Sequence, residues 1–329
     1  MKKKMIPTSN PSLKAWMMKT NMGKHIPVLL EQTITGLNIK PDGIYVDLTL
    51  GRGGHSGEIL KKLRNGHLYG VDQDQEAIEE SEIYLKTIGD NFTIIRSNFS
   101  QIDTILQERN IEYVDGILMD LGVSSPQFDE GDRGFSYRED ANLDMRMDQR
   151  QSLTAYEIVN SYSLDEIFRI LRDYGEEKFA YSIAKSIVKE REKAPIKTTF
   201  QLVEIIKKSK PMKELAKAGH PAKQTFQALR IAVNDELNVL SITLEKALKV
   251  LRPHGGRLAV ITFHSLEDRI VKNFFKDTSV EEGNRHDIPL ISKEKEYQLV
   301  NKKPIIADED ELKINHRSAS AKLRIIERK

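Results

Sequence analysis

The sequence predicts an α/β fold: a doubly wound, mostly parallel sheet carrying a helical subdomain inserted between its fourth and fifth strands. Three observations predict it. From residue 43 onward, short β-rich runs alternate with helical stretches, the pattern of a parallel sheet covered on both faces. A glycine-rich turn follows the first of these runs. The alternation stops after Asp120, gives way to an almost wholly helical pattern from about Thr154 to Val250, and then resumes.

Taken in order, the apolar and β-branched runs place strands at Ile44–Leu48, His67–Val71, Phe92–Arg96, Asp115–Asp120, Arg257–Phe263 and Lys322–Glu327. Between the first four, helical periodicity places helices near Ser56–Leu63, Gln75–Lys86 and Ile102–Arg109. Ser56 and Asp74 are the expected N-caps, because a short polar side chain there can accept from the free N–H groups of the first turn. An α/β core occupying residues 24–125 and 234–329 follows, with residues 126–233 as the inserted, substrate-recognising part.

The chain of 329 residues suits two domains or one large domain with an insertion, and 39% apolar residues suffice for a core. There is no cysteine, so disulfides, thiolate metal sites and a cysteine nucleophile are excluded. No apolar run approaches the roughly 20 residues that cross a bilayer, so no membrane partner and a cytoplasmic location are expected. Residues 1–23 form a basic extension expected to be disordered: residues 1–25 carry six lysines and no acid. The whole-chain charge is only +2, but it is segregated. Residues 126–177 hold 6 basic and 13 acidic side chains, net −7, whereas residues 178–230 hold 13 basic and 4 acidic, net +9. Clustered cations of this kind are the footprint of a nucleic-acid surface, and Lys207, Lys208 and Lys210 are candidate phosphate contacts.

The first strand runs into Asp47-Leu-Thr-Leu-Gly51-Arg-Gly53-Gly54-His55-Ser56. A strand, a glycine turn and a helix N-terminus make the nucleotide corner of a doubly wound sheet. The dinucleotide spacing G-x-G-x-x-G fails, since Ser56 stands where the third glycine is needed. Asp47 before the turn suits a cationic neighbour such as the ammonium of a methionine moiety. Asp72, at the end of the second strand and 21 residues beyond Gly51, suits a ribose diol. The combination favours S-adenosylmethionine over a nicotinamide dinucleotide.

Without cysteine, methylation at carbon 5 of a pyrimidine lacks its usual thiolate, which leaves transfer to a heteroatom by in-line displacement. An exocyclic amine needs hydrogen-bond acceptors to oppose conjugation of its lone pair and to stabilise developing positive charge. Asp120 is the candidate, with Ser124, Ser125 and Gln127 beyond it. Strand five delivers His264, a candidate base. Phe128, Phe135 and Phe263 are candidates to stack on a base. No acid and histidine cluster shows metal-ligand spacing, and methyl transfer needs no metal.

These blocks together resemble the bacterial 16S ribosomal RNA cytosine-N4 methyltransferases, the MraW family, over about residues 24–329. The resemblance rests on His25-Ile-Pro-Val-Leu-Leu30, the Asp47–Ser56 loop, Asp120-Leu-Gly-Val-Ser-Ser-Pro-Gln127 and Arg133-Gly-Phe-Ser136. It rests further on Leu143-Asp-Met-Arg-Met-Asp148, His220-Pro-Ala-Lys223 with Phe226-Gln-Ala-Leu-Arg230, and Phe263-His-Ser-Leu-Glu-Asp-Arg269. It implies a class I, Rossmann-like S-adenosylmethionine-dependent methyltransferase that modifies a cytosine amine in the decoding (P-site) region of 16S rRNA, within the small ribosomal subunit; a homodimer is compatible with it. The cofactor contacts it implies are Gly53, Gly54, His55, Asp72, Phe99, Asp120 and Gln127. The chain departs from the family at Gln224 and Ala319, where the family carries arginine. Two rivals stand beside this reading: a non-catalytic RNA-binding or ribosome assembly factor, and a nicotinamide-dependent oxidoreductase.

Overall fold

In the computed structural model, which describes residues 26–122, 133–279 and 295–329, seven strands pair in one sheet in the order β3-β2-β1-β4-β5-β7-β6. They are β1 (Ile44–Asp47), β2 (His67–Asp72), β3 (Phe92–Arg96), β4 (Gly116–Asp120), β5 (Arg257–Thr262), β6 (Tyr297–Leu299) and β7 (Lys322–Arg328). The first five are parallel, and β7 inserts antiparallel between β5 and β6. The strand order reverses between β1, with β2 and β3 on one side, and β4, with β5 on the other, so the carboxyl ends of β1 and β4 flank the crevice where such sheets bind ligands.

Burial on both faces explains why β4 and β5 read as continuous apolar runs rather than as alternations. On one face Val46, Ile117, Met119, Leu258 and Val260 pack with Leu240, Leu244 and Phe275. On the other Tyr45, Leu118, Ala259 and Ile261 pack with Leu29, Ile34 and Ile59. The covering helices are α1 (Leu30–Leu37), α2 (Gly54–Leu60), α3 (Gln75–Lys86) and α4 (Ile102–Gln107). After the strand-free stretch come α5 (Ala155–Ser161), α6 (Leu164–Asp173), α7 (Ala180–Arg191), α8 (Thr199–Lys208), α9 (Met212–Leu215), α10 (Lys223–Asn234) and α11 (Glu236–Lys249). The last two are α12 (Ser265–Ser279) and α13 (Glu309–Ile314).

Helices α5 to α8 and α10 bury their apolar stripes against each other in a third cluster, drawn from residues 135–233 and including Ile158, Leu171, Ile183, Leu202 and Leu229. Ser163 and Thr198 close capping boxes at the starts of α6 and α8, which fixes where those helices begin. Asp235, at positive φ, separates α10 from α11 and turns the chain back toward the sheet.

Three expectations need correction. Ser56 is no cap: α2 starts at Gly54 behind Gly53, and Ser56 is buried, donating its hydroxyl to Asp47 Oδ2 at 2.7 Å. Ser56 lies inside the first turn, where its hydroxyl serves the buried carboxylate instead of accepting from the helix's free N–H groups. Asp74, by contrast, does cap α3, accepting from Glu76 N. The short β6 was not expected, because its three residues owe their strand state to pairing with β7. Lys210 cannot meet a phosphate: its side chain is 7% exposed and bonds Glu177 and the Pro221 carbonyl, both at 2.7 Å. Lys207 is paired with Glu204, while Lys208 remains exposed. The basic extension at residues 1–23 lies outside the described residues.

Candidate active site

The carboxyl ends of β1, β2, β4 and β5 bring Asp47, Asp72, Asp120, His55, His264 and Glu267 to one crevice. The loop after β1 is organised around Asp47, which is 1% exposed and accepts from Thr49 N at 3.1 Å as well as from Ser56. Burial, opposed by those bonds and reinforced by the nearby Asp72, pushes its carboxyl up to about 6. Its carboxyl is thus buried at the end of β1 and bonded within the loop itself.

Gly53 has φ of 77°, a conformation that costs other residues strain. At Gly54 a Cβ would stand 2.4 Å from Pro27 Cγ, so the helix start can lie against that proline only without a side chain. Asp72 accepts from Gly51 N at 2.8 Å with one oxygen and from Asp74 N at 2.9 Å with the other, tying the end of β2 to the glycine loop. Burial raises its pKa against those bonds. Phe99 opens a 3-10 turn after β3 and packs, half-buried, on the sheet.

Thr49 is a residue the sequence did not flag. Its hydroxyl accepts from Asp120 N at 2.6 Å and lies 3.4 Å from Asp47 Oδ1, so one side chain spaces the two acids. Asp120 Oδ2 lies 3.5 Å from His55 Nδ1, while Oδ1 is buried and accepts no hydrogen bond among the described residues. Burial, then the carboxylates of Asp47 and Glu267, push the Asp120 pKa well above the usual range. The His55 ring has its Nε2 at 3.0 Å from the Val28 carbonyl, and burial pushes its pKa down to about 4, so it is neutral.

At the end of β5, His264 Nε2 lies 3.0 Å from Glu267 Oε1, and Glu267 Oε2 accepts from the N–H of Phe263 at 2.9 Å. Burial pushes Glu267 upward, but the His264 ring, Arg230 and that N–H outweigh it and hold the carboxyl low. Glu236, His264 and Glu267 offer ligand atoms within 4.8 Å of one another. The Arg230 guanidinium already supplies the counter-charge there, making two 2.8 Å bonds to Glu236 and facing Glu267. The Arg230–Glu236 ion pair occupies one carboxylate of this group, and the His264 ring contacts the other.

Phe263 is half-buried beside Gly122 and keeps its candidacy as a base-stacking ring. Phe135 loses it: at 3% exposure it belongs to the insert's core. Gln127, Phe128, Ser124 and Ser125 lie outside the described residues. The Leu143–Asp148 block proves to be scaffolding. Asn234 bonds Met145 O and Met147 N at 2.8 Å each, and Arg133 bonds the carbonyls of Arg146 and Met147. Arg133 also reaches the Asp74 carboxylate, two residues past Asp72, joining this block to the end of β2.

The electrostatics give a prediction. A carboxyl whose folded pKa is raised binds more protons folded than unfolded, so stability falls as pH rises from its unfolded value near 4 to about 6. Asp47→Asn should remove that loss, raising unfolding stability at pH 8 by on the order of 2 kcal/mol with little change at pH 3.5. Urea midpoints at the two pH values decide; a loss at pH 8 would show that the negative charge holds the loop.

The family model for the MraW methylase family matches residues 22–329. The "Ribosomal RNA small subunit methyltransferase H" of Exiguobacterium sibiricum is 55% identical over 93% of this chain and 99% of that one. The proteins of the same name from Limosilactobacillus fermentum and Mesoplasma florum are 51% and 54% identical, covering 92% and 94% of this chain and 98% and 100% of theirs. With this match along nearly the whole chain, the chain belongs to the MraW methylase family.

Proposed function

We propose that this protein methylates the N4 amine of a cytosine in the decoding (P-site) region of 16S rRNA, working in the cytoplasm on RNA of the small ribosomal subunit. The observation that carries the amine is Asp120, a buried carboxyl at the end of β4 with an oxygen that accepts no hydrogen bond among the described residues. Such an acceptor suits an N–H that becomes more acidic as the nitrogen gains a methyl group. Family membership sets aside the nicotinamide rival.

S-adenosylmethionine, the methyl donor, supplies an electrophilic methyl group on a sulfonium centre. The residues present fit it: Gly53 and Gly54 let the loop pack close against Tyr84 and Pro27, Asp72 is tied to that loop and His55 follows it, and Asp47 and Asp120 set a negative field suited to a cation. Phe99 is a further contact; Gln127, proposed with it, lies outside the described residues. Asp120 orients the amine and takes its proton; the target base must leave its stack to reach it. His264, held by Glu267, fixes the turn after β5 that faces the base.

The insert, residues 126–233, supplies the grip on RNA. Lys185 and Lys189 lie one turn apart on the exposed face of α7, and Lys208 and Lys223 are also exposed. Reversing Lys185 and Lys189 to Glu should lower the slope of log affinity against log salt by about one to two, at roughly 0.7–0.9 per phosphate contact. An unchanged slope takes α7 out of the interface.

The deciding assay is transfer of a tritiated methyl group to small-subunit RNA from cells lacking the activity, naked and within the subunit. The digested product should contain N4-methylcytidine. No label in either substrate refutes the activity, and label on ring carbon or ribose refutes the amine.

A further inference from the structure

Resting on that reading and deepening it, we propose that His55 is a positioning residue for methyl transfer: its Nδ1 lone pair receives the O–H of Asp120 once that carboxylate has taken the amine proton. The geometry is specific. A carbonyl only accepts, so the 3.0 Å approach of Nε2 to Val28 O places the ring hydrogen on Nε2. In the neutral ring Nδ1 is then bare, and it faces Asp120 Oδ2 at 3.5 Å. Two bare acceptors repel; one proton between them makes a hydrogen bond. The pair is thus built to be one proton short before the reaction and complete after it.

The groups around the pair push the same way. Asp47 from β1 and Glu267 from α12 face Asp120 with negative charge, and no cation is among the groups that set its titration. The imidazole is 5% exposed and stays neutral to about pH 4, so it shares the proton without carrying it away. The step balances. The N–CH3 bond forms as the S–CH3 bond breaks, with that electron pair left on sulfur. The amine N–H then breaks, its pair staying on nitrogen, and the proton becomes the Asp120 O–H directed at Nδ1 before it passes to water.

The test pairs a kinetic with a spectroscopic readout. In single-turnover transfer, the rate should fall at acid pH as Asp120 is protonated. His55→Leu removes the acceptor that favours the acid form, so this limb should move down by about one pH unit and the plateau should drop on the order of tenfold. His55→Asn, which restores an acceptor oxygen, should recover most of both. A plateau loss with an unmoved limb would make His55 merely structural; a limb moved upward would mean a cationic imidazole. In the protein alone, nitrogen NMR should show His55 Nδ1 unprotonated at pH 7, with a shift that follows the Asp120 titration and stops doing so in Asp120→Asn. A protonated Nδ1 at pH 7, or a shift indifferent to Asp120, overturns the inference. If wild-type protein transfers no methyl group, the proposed function fails, and the nitrogen spectra still decide the pairing.

Discussion

Asp120→Asn is expected to slow single-turnover methyl transfer by about 10²–10⁴-fold, the range of a lost general base, while making the protein more stable at neutral pH. Both effects have one cause. Burial and the facing carboxylates of Asp47 and Glu267 hold the Asp120 pKa far up, so the folded state binds its proton more tightly than the unfolded chain does. Stability is then lost as pH climbs from the ordinary carboxyl range toward the raised value, and it stays lost above. An amide carries no charge to desolvate, and its N–H can donate to His55 Nδ1, so the penalty disappears where the carboxylate would have been ionised. Urea unfolding at pH 4 and pH 8, beside the transfer rate, separates the outcomes. Equal or lower stability of the variant at pH 8 would mean that Asp120 is not strained. A rate within tenfold of wild type would remove it from proton transfer.

The same field explains why the crevice gathers acids at all. Asp47, Asp72, Asp120 and Glu267 crowd the ends of the strands, and the first three are each pushed upward by burial. A fold selected for stability alone would not place them so; a ligand bearing positive charge relieves all of them together. On the proposed function, the charge that costs the fold stability there is the charge that would recognise the sulfonium and ammonium of the methyl donor.

Much of the architecture was legible from residue patterns. Six strands lie within two residues of their expected bounds, because runs such as Leu258–Ile261 are buried on both faces and read without ambiguity. The helix over Gln75–Lys86 was legible through its Asp74 cap and its periodicity. What was not legible depends on partners distant in the chain. Strand β6 is three residues whose state comes from β7, and Lys210 looked like a surface cation until Glu177 and Pro221 enclosed it. Ser56 had the chemistry of a cap, and only the burial of Asp47 reassigned it. Thr49 carried no signal, since a threonine in a turn is ordinary; its importance lies in touching both Asp47 and Asp120, which sit 73 positions apart on adjacent strands. Likewise nothing local joins Arg133 to Asp74, 59 residues earlier.

Arg230→Met is expected to destabilise the protein by about 3–5 kcal/mol, the cost of leaving a buried charge without its partner. Arg230 ends a motif that in sequence invites assignment to RNA contact. Its side chain is 11% exposed, though, and both bonds it makes go to Glu236 at 2.8 Å. Removing the guanidinium strands Glu236, whose pKa burial already pushes upward even with Arg230 opposing it. It also removes a cation that faces Glu267 and helps hold that carboxyl ionised beside His264. The double variant Arg230→Met with Glu236→Leu removes both charges and should recover most of the loss, because two apolar side chains of similar volume need no counter-charge. Recovery of stability without recovery of methyl transfer would show that the pair also sets the turn that carries His264. A single variant within 1 kcal/mol of wild type would show that the Arg230–Glu236 pair does not hold the fold there.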